Sequence, residues 1–330
     1  MNTPFQKIGI VGSGSIGLYY GMRLALGGAD VRFLMRSDLD AVRARGTLRL
    51  IDGAETSELE KPAVFATPAE IGPVDLVVIT LKTTSNGRLP SLVPPLLGPG
   101  TAILTLQNGL GADEPLASLF GPDRVIGGLA FIATNRTAPG EVTCFHSGSL
   151  TLGEFAGPPL ARTRALAGQF NEARVKTRVA ENLDSARWHK LAWNVPFNGL
   201  TIAAGGISTD VVCSNPALAA EARALMVEIQ RGAAALGHSM TDDFLRKQFD
   251  VTVPMGAYRP SSLVDFLAGR DVEVEPIWGE PLRRARAAGA DVTRLALLYA
   301  LIQSLVVHRG QPARQAPGAG RQGPAAKEKG

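Results

Sequence analysis

"KIGIVGSGSIGLYYG" (residues 7–21) decides the fold of this chain. An apolar run over 7–11 leads straight into Gly12, Gly14 and Gly17, and a helical pattern follows over 15–26. Strand, glycine turn and helix in that order are the context in which G-x-G-x-x-G binds a dinucleotide. Gly12 permits the tight turn, Gly14 lets backbone amides approach a pyrophosphate, and Gly17 lets helix and strand pack closely. The start of the helix faces the anion. Gly12, Ser13, Gly14, Ser15, Ile16 and Gly17 are therefore candidate cofactor contacts.

Outward from this stretch, further apolar runs fall at 31–35, 76–80, 102–106 and 125–130. They are nearly uninterrupted, as in a parallel sheet covered on both faces. Shorter β runs follow at 141–144, 150–152 and 175–179, with a helical pattern over 161–173. After about residue 181 the strand pattern stops. Helical patterns then run over 185–204, 216–236, 242–250, 262–268, 275–288 and 293–307. The expected fold class is α/β: a Rossmann-type dinucleotide-binding domain (1–181), an all-helical second domain (182–309) and a disordered tail (310–330). There is no internal repeat.

The net charge of +4 does not imply nucleic acid. Arg309, Arg314, Arg321, Lys327 and Lys329 against Glu328 account for all of it, so the rest of the chain sums to zero. The stretch GQPARQAPGAGRQGPAAKEKG (310–330) cannot bury a core. Its deletion is expected to leave melting temperature and turnover unchanged, and a large loss of either would mean that it docks on the body or a partner. The apolar runs are too short to span a membrane. The N-terminus lacks the basic and apolar segments of a secretion signal. Cys144 and Cys213 are far apart and outside any CxxC, which suggests free thiols in a reducing cytoplasm. His146, His189, His238 and His308 show no metal-ligand spacing, so no metal is expected.

Three further places carry chemistry. The second strand ends in "VRFLMRSD", where Arg36 suits the 2′-phosphate of NADP, while Asp38 keeps NAD open. Lys82 and the Gln107–Asn108–Gly109 triplet follow the runs at 76–80 and 102–106, where open α/β sheets bind ligands. In "RWHKLAWNVPFNGLT" (187–201), Lys190, Asn194 and Asn198 share one stripe of a mostly apolar helix. Pro196 inside it predicts a kink that re-aims Asn198.

In this combination the chain resembles the ketopantoate reductase (2-dehydropantoate 2-reductase) family. The residues carrying the resemblance are the glycine motif, "LK" at 81–82, "QNG" at 107–109, "WHKLAWNVPFN" and "RPSSLVDFLAGRDVEVEPIWG", in order over roughly residues 5–305. The resemblance implies reduction of a 2-keto acid with NADP(H), ketopantoate by default. It implies that Lys190 donates the proton and that Glu273 sits by it and by the nicotinamide ribose. Asn108, Asn194, Asn198, Ser208 and Ser261 would contact substrate, and Arg36, Lys82, Asn108, Ala133 and Glu273 would contact cofactor. Ser208 stands where the family carries another asparagine. Trp278 and Pro281 fall on the pocket side of a late helix, which would suit a bulkier 2-keto acid.

The chemistry fits those residue types on its own terms. Hydride arriving at a ketone carbon leaves negative charge on oxygen, which a lysine ammonium can stabilise and protonate. An ordinary lysine titrates near pH ~10.4, too high for a good acid at neutrality. Burial would lower that value and Glu273 would raise it. Three functions therefore compete: a ketopantoate reductase, a reductase of another branched or bulky 2-keto acid, and a non-catalytic dinucleotide sensor. The expected partner is a small 2-keto acid, with no nucleic acid and no membrane. A homodimer is left open.

Overall fold

Apolar runs that alternate with helices must cover both faces of a sheet, and the chain does so in a computed structural model that describes residues 5–309. The strands are β1 (Lys7–Val11), β2 (Asp30–Leu34), β3 (Thr47–Asp52), β4 (Glu55–Glu60), β5 (Ala63–Phe65), β6 (Val74–Ile79), β7 (Leu97–Thr105), β8 (Val125–Ala138), β9 (Glu141–Glu154) and β10 (Thr177–Val179). Their order is β4-β3-β9-β8-β7-β6-β1-β2-β5, with β10 beside β9. From β5 to β8 every pair is parallel. The order reverses at β1, where the chain leaves for β2 and β5 on one side and returns to β6 on the other. Ligands bind at such a switch point, outside the carboxyl ends of the strands. The tail expectation concerns residues outside those described.

The short β runs expected at 141–144 and 150–152 are parts of one strand, β9, which pairs antiparallel with β8. The hairpin β3–β4 was not expected. "TLRLIDGAETSELE" alternates apolar and polar residues only in part, since its outer strand has one apolar residue, Leu59, and pairs only with β3. An edge strand needs little apolar content, so it gives a weak signal.

The helical half begins at Leu183–Ala203, capped by Asn182, whose Oδ1 accepts from the Ser185 amide at 2.8 Å. Its apolar faces close a second core around Trp188, Phe197, Ile229, Trp278 and Ile302. Helix Pro216–Ala235 lies against it. Glu228 of that helix accepts from the amides of Arg294 (2.9 Å) and Leu295 (2.8 Å), and so starts helix Thr293–Val307. The helical pattern over 275–288 resolves into a wide π-type turn, Glu275–Gly279, and a regular helix, Glu280–Ala287. Trp278 and Pro281 are buried in this region. Trp278 is fully buried and its indole N–H donates to the Val195 carbonyl at 3.0 Å. The expectation that these two shape the pocket is thereby corrected: both are spent on packing.

Helix Leu183–Ala203 runs unbroken through Pro196. Proline removes one helical donor, and side chains add donors nearby. Trp278 reaches the Val195 carbonyl, and Asn198 Nδ2 reaches the Asn194 carbonyl at 3.1 Å.

Candidate active site

Three loops meet at the carboxyl ends of β1, β6 and β7. Gly12 has φ +109°, and a Cβ there would lie 2.6 Å from the Leu81 amide nitrogen. A Cβ on Gly17 would lie 2.1 Å from the Gly12 carbonyl oxygen. The turn is thus folded tightly onto the β6 loop, with the Thr80 hydroxyl donating to the Gly12 carbonyl. Ser13 Oγ ties it to β2 by donating to the Leu34 carbonyl at 2.8 Å. Around Gly14 the space is open: nothing lies within 4 Å of its would-be Cβ. Gly14 caps helix Ser15–Leu26, whose first turn carries no acidic residue. Open space, helix amides and no competing carboxylate together suit a diphosphate. Ser15 and Ile16 lie half-buried in that first turn.

At the end of β2, Arg36 is exposed and makes no hydrogen bond or ion pair among the described residues. Asp38 is buried and fully engaged. It accepts from Arg136 Nη1 at 2.8 Å, Ser37 Oγ at 2.8 Å and the Gly140 amide at 3.0 Å. A carboxylate so occupied has little left for a ribose.

Lys190 and Glu273 converge on Asn108. Lys190 Nζ donates to Asn108 Oδ1 at 2.7 Å, and the Asn108 side chain lies near enough to Glu273 to pull its carboxyl pKa down. The lysine and the glutamate form no ion pair, and Asn108 is a neighbour of both. Glu273 Oε1 accepts from the Thr83 amide at 2.9 Å and its hydroxyl at 3.1 Å. Burial pushes the Glu273 carboxyl above its usual range, against the pull of Thr83 and Lys82. Burial likewise lowers Lys190 to about 7, with help from the neighbouring Arg187 charge and against Glu273. The two opposed effects named from the sequence are both present, and burial wins.

A narrow cavity, too tight to admit a water molecule, adjoins Lys190, lined by Gly109, Leu129, Arg187, Lys190, Leu191 and Asn194. Asn194 is buried, and its side-chain amide makes no hydrogen bond among the described residues. Asn198 differs. It is 1% exposed; its Oδ1 accepts from the Ser262 amide at 3.0 Å, and its Nδ2 is taken by the Asn194 carbonyl. The free amide expected there is absent, because one helix turn beyond Asn194 the stripe has passed behind helix Ser261–Leu267. Ser208 is likewise occupied, donating to Asp210. Ser261 is exposed at the start of its helix. Lys82 Nζ reaches across to Asp265 Oδ2 (2.7 Å) and the Asp271 carbonyl (2.7 Å), so it joins the two halves of the chain. Ala133 lies half-buried at an irregularity of the β8–β9 pairing. His189 packs against Phe244, with ring centroids 4.8 Å apart.

Gln107, placed at the strand ends by its triplet, donates from Nε2 to the Leu81 carbonyl at 2.8 Å and to Asn86 Oδ1 at 2.7 Å, joining two of the loops. Other residues of the site were not found from sequence. Thr83 holds Glu273, and Arg187 with Asp113 lies beneath Asn108. The wide turn at Glu275–Gly279 presents the Pro276 carbonyl to the Leu110 amide at 2.8 Å. That carbonyl is free for a local reason. In the wide turn the Glu280 amide bonds Glu275, and the next donor position is Pro281, which has no N–H. The two prolines were the signal available.

A parallel sheet with a diphosphate-ready glycine turn, and a half-buried lysine held at the strand ends by a second, helical domain, define a dinucleotide-dependent oxidoreductase. The family model "Ketopantoate reductase PanE/ApbA" matches residues 8–157, and its C-terminal counterpart matches residues 182–306. The chain is 35% identical over 300 residues to a 2-dehydropantoate 2-reductase of Nostoc sp., covering 89% of this chain and 93% of that one. A crystal structure of 2-dehydropantoate 2-reductase from Geobacter metallireducens is 39% identical with TM-score 0.87, over 90% of this chain and 99% of that chain. One from Methylococcus capsulatus is 34% identical with TM-score 0.85, over 93% and 98%. The chain belongs to the ketopantoate reductase family.

Proposed function

We propose that this chain reduces a 2-keto acid with NADPH, that ketopantoate is the default substrate, and that Lys190 is the general acid. The observation that carries the reading is the half-buried lysine whose ammonium is held 2.7 Å from Asn108 in the cleft, where desolvation lowers its pKa to about 7. An acid whose pKa lies close to the working pH transfers its proton most effectively.

The residues fit the dinucleotide: open space at Gly14, helix amides with no acid beside them, and an unpaired Arg36 for a 2′-phosphate. When bound, the cofactor supplies a hydride. Lys190 draws the anionic keto acid into the cleft, stabilises the charge growing on the carbonyl oxygen and gives that oxygen its proton. Asn108 keeps the ammonium in place and Glu273 keeps Asn108 in place. Asn194, with its amide uncommitted beside the lysine, grips the substrate. Ser261 lies at the exposed rim, and Asn198 supports it through the Ser262 amide.

NADPH oxidation measured against a panel of 2-keto acids tests the reading. Turnover of none of them would favour a dinucleotide-binding sensor, and preference for a bulkier acid over ketopantoate would move the substrate but keep the chemistry. For the cofactor, wild-type protein is expected to prefer NADPH over NADH, and Arg36→Ala to erode that preference by about tenfold or more, as loss of a charge-assisted contact should. Equal affinity of the wild type for both would overturn the NADP assignment.

A further inference from the structure

Arg187 lies three residues before Lys190 on the same helix, is 3% exposed, and is not used by the proton-donor reading. Its guanidinium is held on three sides. Nη2 donates to Asp113 Oδ1 at 2.6 Å, and Nη1 to the carbonyls of Gln107 at 3.4 Å and Gly109 at 3.2 Å. Those two carbonyls flank Asn108, the acceptor for Lys190. A buried arginine–aspartate pair is a poor source of stability, since apolar residues of like volume commonly do as well. The pair therefore calls for another explanation, and its geometry provides one. The lysine and the arginine leave the same helix face, and the loop they reach is gripped on both sides of the residue that the lysine bonds.

We infer that Arg187, anchored by Asp113, is a positioning residue that fixes the Gln107–Gly109 loop so that Asn108 meets the Lys190 ammonium. The inference rests on the reading of Lys190 as the acid. The planar guanidinium reaches the carbonyls and the carboxylate from two different nitrogens, whereas a lysine offers a single nitrogen on a flexible stem. The arginine also sets a second positive charge against Lys190 and helps to lower its pKa, opposed by Glu273. The charged groups facing the pair are Asp113 with its neighbours Glu114 and Asp184 on one side and Glu273 on the other.

The test compares wild type, Arg187→Lys, the paired Arg187→Met/Asp113→Asn variant and Lys190→Ala. The paired change removes both charges together, so that neither is left buried and alone; circular dichroism checks that each variant folds. Steady-state NADPH oxidation is read beside a ¹³C-lysine NMR titration of the protein without cofactor, with the Lys190 signal assigned by its loss in Lys190→Ala. Arg187→Lys is expected to lower kcat by about 10–100-fold, the scale of a small misplacement, with NADPH affinity nearly unchanged. The paired variant is expected to lose kcat similarly and to titrate Lys190 at higher pH than wild type. If Lys190→Ala is inactive while both Arg187 variants keep wild-type kcat, the inference falls and the acid reading stands. A paired variant with low kcat but an unmoved Lys190 titration would mark a merely structural role and overturn the inference too. Normal turnover in Lys190→Ala would remove the acid reading itself.

Discussion

Lys190→Ala is expected to cut kcat by about 10²–10⁴-fold while NADPH affinity stays within about threefold, because the lost charge and proton act mainly in the transition state. Stopped-flow turnover and cofactor titration separate the two effects. The pH dependence follows from the lysine's position near 7. The acid must be protonated, so wild-type turnover is expected to fall as pH rises through about 7. The stability effect has its own sign. Burial lowers the Lys190 pKa to about 7 in the folded protein from an ordinary value of 10.5, so burying its charge costs stability below pH 7, and that cost is relieved as pH rises towards 10.5. Lys190→Met is accordingly expected to raise the melting temperature at and below pH 7 while abolishing most turnover. A variant with near-normal turnover would rule Lys190 out as the acid. Unchanged melting behaviour at pH 6 would mean that the lysine is hydrated in solution.

Gly109→Ala is expected to lower kcat/KM at least about 100-fold, since a displacement on the order of 1 Å at a reacting centre has that effect. Gly109 holds φ +81°, and a Cβ there would lie 2.1 Å from the Pro276 carbonyl oxygen. The left-handed backbone alone costs about 1–2 kcal/mol in a residue with a Cβ. The clash adds to it, because both partners are backbone and neither can rotate away. The loop must draw back from the wide turn, breaking the Leu110–Pro276 bond and moving Asn108 off Lys190. Melting should fall by several degrees in parallel. Wild-type kcat/KM in a folded Gly109→Ala protein would show that the tie to the wide turn does not govern the site.

Much of this arrangement is legible in the order of residues. The phosphate turn is local: strand, glycines and helix are contiguous, and the conformations they need follow from the absence of a Cβ at Gly12 and Gly17. The parallel core reads as apolar runs because both sheet faces are covered. The stripe of Lys190 and Asn194 follows from helical periodicity. The family resemblance added Asn108 and Glu273 as partners, from loops 82 and 83 residues away from the lysine.

What the chain order could not show is what each polar group meets. Asn194 and Asn198 are equivalent by periodicity, yet one lines the cavity and the other is bonded by the Ser262 amide, because only the second lies under the neighbouring helix. Asp38 reads as a ribose acceptor until Arg136 and Gly140, about a hundred residues on, are folded against it. Nothing in the sequence singles out Arg187, whose part appears only where Asp113 and two loop carbonyls close around it. Periodicity and turn chemistry act over a few residues and determine which face a side chain leaves from. Hydrogen bonding and desolvation act over a few ångströms between segments distant in sequence, so the tertiary structure alone decided which of these groups stay free to do chemistry.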